Sequence, residues 1–119
     1  MSNIELKTHS ESFILGSEQE IEQVDEGIKR QMLGFDGQLM IAKVWFEAGA
    51  IGYAHKHFHS QVSYVESGEF EVTVDGVVKL LKAGDSFYIA PNKMHGALCK
   101  KTGVLLDVFS PARQDFLEK

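Results

Sequence analysis

Cysteine is nearly absent from this sequence, and long apolar runs are missing altogether. The single cysteine, Cys99, excludes a disulfide within the chain and suits a reducing compartment. No segment approaches about 18 consecutive apolar residues, so no membrane span is predicted. The first residues carry no positive segment followed by an apolar run. We therefore expect no secretory signal and a cytoplasmic location.

Basic residues are too few and too scattered to form a nucleic-acid-binding surface. The chain has 119 residues with 12 Lys and Arg against 17 Asp and Glu, which gives a net charge of -5. No cluster of them is long enough to neutralise a row of phosphates, so we expect no nucleic-acid partner. An acidic chain gains no long-range attraction for anions, so an anionic ligand needs a cation within the site itself.

A helical period is absent between residues 28 and 109, where short apolar runs alternate with glycine and Asp-Gly pairs. Asp75-Gly76 between two such runs predicts a tight hairpin. Many short strands at close spacing indicate an all-β sandwich or barrel. A helix is expected only at 112–118. The predicted strands span 28–33, 39–46, 61–66, 70–74, 77–81, 86–89 and 104–109.

Residues 1–26 differ from the rest because they are polar and acidic, with a possible helix start at 17–20. We interpret them as an N-terminal arm without chemistry of its own. Residues 27–119 are then one domain, which is an ordinary size for a single hydrophobic core.

Three of the five histidines, His55, His57 and His59, lie within five residues of each other. Residues two apart on a strand point to the same side, so His55 and His57 present their imidazoles together. Such a pair fills a core poorly and begins a metal site well. A solvent-facing strand end that happens to be rich in histidine fits the tract equally, so the tract alone leaves both interpretations open.

The spacing around this tract resembles that of the cupins. Gly49, His55, His57, Gln61 and Gly68 follow the first cupin motif, G(x)5HxH(x)3-4E(x)6G. The segment from Gly84 to His95 follows the second, G(x)5PxG(x)2H(x)3N. The resemblance implies a small single-domain cupin, a double-stranded β-helix or jelly-roll barrel. It also implies one divalent transition metal (Ni, Zn, Mn or Fe), held by His55, His57, Gln61 and His95.

Position 61 departs from the motif, since most cupins have a glutamate ligand there. An amide binds a cation more weakly and leaves its full charge, which makes the metal a stronger Lewis acid. His59 competes for the fourth place, because it shares the face of His55 and His57 if the strand stays regular. The motif spacing favours Gln61 and ligand softness favours His59, so both remain open.

Two further departures concern packing. Asn92 replaces a glycine of the second motif, and asparagine is the residue that best tolerates a left-handed backbone after glycine. Cys99 stands where the motif ends in asparagine. We expect it to be a small buried apolar residue.

The chain from Gly27 to Leu117 further resembles the pectin degradation proteins of the KdgF type. The segments that carry this are GIKR at 27–30, FEAGAIG at 46–52, GDSFYI at 84–89 and DVFSPARQDFL at 107–117. The resemblance implies an isomerase-like enzyme, most simply a homodimer, whose partner is a small-molecule uronate. Such enzymes open the ring of 4,5-unsaturated uronates to the linear 5-keto-4-deoxyuronate.

By the same resemblance, Asp107 transfers the proton, Arg113 clamps the substrate carboxylate, and Phe109 forms a wall for the sugar ring. The residues taken by themselves favour plainer roles. Asp107 is then a turn or cap residue, Phe109 a core residue, and Arg113 a surface residue paired with Asp115. Another cupin metalloenzyme, a dioxygenase or sugar isomerase, and a non-catalytic metal- or sugar-binding cupin are the alternatives.

Overall fold

The structure, a computed structural model that describes residues 8–118, consists mainly of antiparallel strands. The all-β prediction is confirmed. After a 3-10 helix at Gly16–Glu18, the elements are β1 (Ile21–Asp25), β2 (Ile28–Phe35), β3 (Met40–Phe46), β4 (Ile51–His55), β5 (Ser60–Val74), β6 (Val77–Lys82), β7 (Ser86–Ile89), β8 (His95–Ser110) and α1 (Gln114–Leu117).

The strands pair in the order β1-β2-β3-β8-β5-β6, while β4 also pairs with β8 and β7 with β5. The two longest strands, β5 and β8, pair from Ser60↔Ser110 to Val74↔His95. This antiparallel register joins the two sequence motifs. It sets Gln61 of the first motif opposite Phe109, and it sets Ser63 opposite Asp107.

The inner face of β5 changes character along its length. Gln61 and Ser63 are buried near its start, and Val65, Phe70 and Val72 are buried farther on. The apolar part belongs to a core cluster with Ile28, Val44, Phe46, Ala50, Cys99 and Leu105. A second cluster contains Met40, Ala42, Phe109 and Ala112. Along β8, Asp107 falls between Leu105 of the first cluster and Phe109 of the second, so a polar region separates the two.

Three local predictions are confirmed. Asp75 and Gly76 have φ of 49° and 81° and join β5 to β6 as a hairpin. Asn92 has φ of 65°, and its N–H donates to the carbonyl of His57 at 2.7 Å. Cys99 is 1% exposed within the first core cluster. The left-handed turn at Asn92 is therefore hydrogen-bonded to the loop that carries His57.

Several predicted boundaries were wrong. The expected strands 61–66 and 70–74 are one strand, β5, because Gly68 is part of a bulge and not a strand end. A Cβ on Gly68 would lie 2.5 Å from the Lys101 carbonyl oxygen, so this glycine serves the close approach of β5 and β8. β8 begins at His95 and not at 104, and α1 is shorter than expected.

The sheet also extends into the region interpreted as an arm. Residues Ile21–Asp25 form β1, which pairs with β2 before the expected boundary at residue 27. Residues 1–7 lie outside the described part of the chain. No helix within 8–118 has the length and apolar character that crossing a membrane requires.

Candidate metal centre

The structure brings His55, His57 and His95 together. His55 ends β4 and is paired in register with His95, which begins β8, while His57 lies in the loop that leads to β5. One ring nitrogen of each lies within 4.8 Å of the others. Ligand atoms on one ion, with bonds of about 2.1 Å, lie roughly 3 to 4 Å apart. Small inward movements of the side chains would therefore complete a site.

The outward nitrogens of all three rings face backbone carbonyls. His55 Nδ1 lies 2.9 Å from the Tyr53 oxygen, His57 Nδ1 3.1 Å from the His59 oxygen, and His95 Nδ1 2.9 Å from the Lys93 oxygen. A carbonyl only accepts, so each Nδ1 carries the proton. In the neutral ring each Nε2 then presents a lone pair, which is the arrangement of metal-binding histidines.

Burial also favours the neutral form of His95, which is 6% exposed. Desolvation is the main cause that lowers the pKa of His95 from 6.5 to about 4, and the neighbouring His55 and His57 lower it further. The ring is therefore neutral at physiological pH. A neutral imidazole can donate its lone pair to a cation, so the residue fits a metal ligand.

Gln61 lies beside His57, the candidate ligand that precedes it in the chain. Its side chain is buried, and Oε1 lies 3.0 Å from His57 Nε2. Both atoms present lone pairs, so the contact favours a cation that both of them touch. Two ligands at right angles on one ion, with bonds of about 2.1 Å, are separated by roughly 3.0 Å. The observed separation fits Gln61 and His57 as adjacent ligands.

His59 lies outside the group of three imidazoles. The expectation that it shares their face assumed a regular strand, but β4 ends at His55 and residues 56–59 form a loop. His59 is buried, and its Nδ1 has no hydrogen-bond partner in the described part of the chain. Its pKa is lowered, first by burial and then by the Arg113 charge. The geometry thus favours Gln61 as the fourth ligand.

Asp107 is a partly buried carboxyl on β8, opposite Ala42 of β3 and Ser63 of β5. Ser63 Oγ donates to its Oδ1 at 2.6 Å. Burial is the largest influence and raises the pKa of Asp107 from 3.8 to about 6, against the Ser63 hydrogen bond and the charges of Arg113, Arg30 and His55. A carboxyl with such a pKa exchanges protons readily near neutral pH.

Arg113 lies just before α1 and is only partly exposed. Its Nε and Nη2 donate to the two carboxylate oxygens of Asp115 at 3.0 and 2.8 Å. Its guanidinium also stacks over the Phe116 ring at 4.0 Å. The pairing with Asp115 that the residues alone suggested is present. It uses one edge of the guanidinium and leaves the N–H groups of the other edge for a second carboxylate.

Phe109 is 2% exposed and belongs to the second core cluster. Its ring lies edge-on to His57, with 5.9 Å between centroids, and Arg113 Cζ lies 5.2 Å from its centre. Phe109 therefore packs against both His57 and Arg113. Its contact with a sugar ring stays a prediction.

Sequence reasoning missed two residues of this region. Ser63 is fully buried and connects Gln61 to Asp107, because Gln61 Nε2 donates to Ser63 Oγ at 2.9 Å. Arg30 donates to Glu22 at 3.1 Å, and its Cζ lies 3.8 Å above the Phe116 ring. The period of two along β5 could have revealed Ser63, since it shares a face with Gln61. Arg30 lies in a segment that the family resemblance already included.

Comparison with known proteins agrees with this geometry. A cupin domain model matches residues 43–109. The pectin degradation protein KdgF of Dickeya dadantii is 42% identical over 107 residues, which cover 88% of this chain and 97% of that protein. Among solved structures, KdgF from a Halomonas species has a TM-score of 0.86 at 36% identity, and covers 91% of this chain and 100% of its own.

A cupin of RmlC-like type from Shewanella frigidimarina is also similar. It has a TM-score of 0.90 at 57% identity, and the match covers 92% of this chain and 99% of that one. These matches extend over nearly the whole described chain, beyond the two motifs. The chain therefore belongs to the cupin superfamily and, within it, to the family of KdgF-type pectin degradation proteins.

Proposed function

We propose that this protein is a metal-dependent, isomerase-like enzyme that opens the ring of 4,5-unsaturated uronates to the linear 5-keto-4-deoxyuronate. The observation that carries the proposal is the connection of a carboxyl of raised pKa, Asp107, through Ser63 and Gln61 to His57, one of the three clustered imidazoles. The relationship to KdgF, a pectin degradation protein, supports a substrate derived from an acidic polysaccharide.

The reaction needs one proton removed and one delivered. The substrate is a hemiacetal at C1 and an enol ether at C5. The C1 hydroxyl loses its proton and becomes an aldehyde as the bond between C1 and the ring oxygen breaks. The ring oxygen becomes the C5 ketone, and C4 gains a proton. Substrate and product are isomers, so no oxidant and no second substrate is required.

Asp107 is the group that we assign to this proton transfer. As a carboxylate it accepts the proton of the C1 hydroxyl, and as the resulting acid it can return a proton to C4. A carboxyl with its pKa raised to about 6 is suited to both directions. The metal, when bound by His55, His57, His95 and Gln61, supplies Lewis-acid polarisation and a template for the sugar oxygens.

Arg113 is the residue that we assign to the substrate carboxylate. It is one of two guanidiniums, with Arg30, whose charges reach Asp107. In an acidic chain such a local cation is what an anionic sugar requires. Since Asp115 fixes one edge of Arg113, the other edge is held in a defined direction for a paired hydrogen bond.

We also infer a cytoplasmic homodimer. The outer faces of β5 and β7 carry the exposed side chains Val62, Tyr64 and Tyr88, and Val62 lies opposite Tyr88 in register. A second copy of the chain on this face would cover apolar surface and the neighbouring strand edges. Sedimentation equilibrium tests it: a mass twice that of the chain is expected, and a monomer at all concentrations contradicts it.

The reaction is tested by the fate of hydrogen. Metal-loaded protein and 4,5-unsaturated galacturonate are mixed in D₂O and followed by NMR. The expected product is the open-chain ketone with one deuteron at C4, formed faster than in a protein-free sample. Oxygen uptake is measured in parallel, since a dioxygenase would consume it. Formation of the ketone no faster than in the protein-free sample contradicts the proposal.

A further inference from the structure

A chain of hydrogen bonds joins the candidate metal centre to Asp107. Gln61 Oε1 lies beside His57 Nε2 at 3.0 Å, and Gln61 Nε2 donates to Ser63 Oγ at 2.9 Å. Ser63 Oγ then donates to Asp107 Oδ1 at 2.6 Å. Gln61 and Ser63 are two residues apart on β5, so they share its inner face, and Ser63 is paired in register with Asp107.

Burial leaves these groups few other partners. Ser63 is 0% exposed and Gln61 is 7% exposed. A buried hydroxyl or amide without a partner is destabilising, which favours keeping each of these hydrogen bonds. The serine at this position is therefore explained by the two groups that it connects.

The amide of Gln61 determines which group donates and which accepts in each of these hydrogen bonds. When Gln61 turns its oxygen toward the metal side, its NH₂ group faces Ser63 and can only donate. Ser63 Oγ accepts that bond and has one proton left, which it gives to Asp107. Asp107 Oδ1 therefore receives a donor and acts as an acceptor. A glutamate at 61 has no N–H and would instead compete with Asp107 for the hydroxyl proton of Ser63.

Other elements contribute charge to Asp107 but not this direction. Arg30 of β2 and Arg113 beyond β8 act on its carboxyl through their charges. The hydrogen bond that the structure gives the Asp107 side chain comes from Ser63 of β5. One short directional bond thus fixes the rotation of the carboxyl group, and with it the oxygen that remains for the substrate.

We propose that Ser63 is a positioning residue, which is held by the Gln61 amide and in turn orients the Asp107 carboxyl for proton transfer. We further infer that the amide of Gln61 sets the direction of these hydrogen bonds. The inference rests on the proposed function for its kinetic consequence, although its geometric consequence is independent of any substrate.

Ser63→Ala tests the positioning role in the metal-loaded protein. Loss of a residue that orients a catalytic group typically costs 10- to 100-fold in activity, so kcat should fall by roughly that factor. KM should change less than about twofold, because Ser63 does not touch the substrate, and the comparison is made at saturating metal because Ser63 also holds Gln61. Ser63→Thr keeps a hydroxyl and should restore most of kcat. Ser67→Ala, exposed on the same strand β5, is the control and should leave kcat unchanged.

Gln61→Glu tests the direction of the chain and preserves a buried polar side chain at this position. If it slows turnover through Ser63, adding Ser63→Ala to Gln61→Glu costs little more, and the two changes are non-additive. If glutamate slows turnover only by weakening the Lewis acid, the two losses multiply. Multiplied losses overturn the inference about direction and leave the positioning role to be judged by Ser63→Ala alone.

Crystal structures of metal-loaded wild type and Ser63→Ala supply a measurement without substrate. We expect the Asp107 carboxyl to rotate or to adopt two orientations in Ser63→Ala and to keep one in the wild type. An unchanged carboxyl, or a kcat equal to that of wild type, overturns the positioning role. If wild type itself shows no rate above the uncatalysed reaction, the proposed function fails, and the crystal comparison still decides the role of Ser63.

Discussion

Replacing Asp107 with asparagine should make the protein more stable and nearly inactive. Burial raises the pKa of Asp107 from 3.8 to about 6, so its ionised form is disfavoured in the folded protein. A difference of about 2 pKa units corresponds to roughly 3 kcal/mol. Asparagine has the same shape and still accepts from Ser63, but it carries no charge. Asp107→Asn should therefore raise the free energy of unfolding at pH 8 by up to about 3 kcal/mol.

The dependence on pH follows from proton linkage. The folded state holds the Asp107 proton more tightly than the unfolded state, so the wild type loses stability as pH rises from 3.8 toward about 6. Above that range the full cost of ionisation is present, and below it the cost is absent. The advantage of Asp107→Asn should consequently be large at pH 8 and small at pH 4.

Urea unfolding of chelator-treated protein measures this difference, because a bound dication would itself favour the ionised carboxyl. Asp115→Asn is the control of opposite sign. The hydrogen bond from Arg113 is the largest cause that lowers the pKa of Asp115, so its replacement should not stabilise the protein at pH 8. An Asp107→Asn variant no more stable than wild type at pH 8, or equally stabilised at both pH values, refutes the reasoning.

Three further predictions concern the metal and the substrate. Gln61→Glu should bind metal more tightly and turn over more slowly, as isothermal titration and kinetics would show; unchanged affinity and rate point instead to His59 as the fourth ligand. Arg113→Ala should mainly raise KM, because the substrate carboxylate is present in both the ground and transition states. A lower kcat at unchanged KM contradicts the assignment of Arg113 to the substrate carboxylate. Metal added at 100 times its Kd should stabilise chelator-treated protein by about 2.7 kcal/mol, and His95→Ala should remove most of that gain in a thermal melt.

The sequence predicted the fold wherever local chemistry decides it. Asp75-Gly76 allows only a tight turn, Asn92 accepts a left-handed backbone, and the spacing of short apolar runs excludes helices. The sequence did not predict the structure where strand pairing with distant residues determines it. The polar segment Ile21–Asp25 has no strand pattern of its own and becomes β1 by pairing with β2. Gly68 resembled a strand end because its role, close approach to β8, depends on residues far along the chain.

The site shows the same division. The motif spacing placed three histidines and Gln61 together, although His57 reaches the others from a loop and not from the strand that the reasoning assumed. Ser63 was missed because its partner Asp107 is 44 residues away, and only the register of β5 with β8 makes them neighbours. The period of two places Ser63 on the face of Gln61, but it does not indicate that Asp107 lies opposite.

The most direct test of metal-dependent ring opening compares initial rates on 4,5-unsaturated galacturonate for three samples. These are metal-loaded wild type, chelator-treated wild type, and Asp107→Asn loaded with the same metal. The loss of ultraviolet absorbance from the conjugated double bond is followed, and the uncatalysed rate is subtracted at each concentration. We predict a rate above background for the loaded wild type, none for the chelated sample, and a kcat lower by roughly 10² to 10⁴ for Asp107→Asn. A loaded wild type no faster than background on any unsaturated uronate would contradict the account.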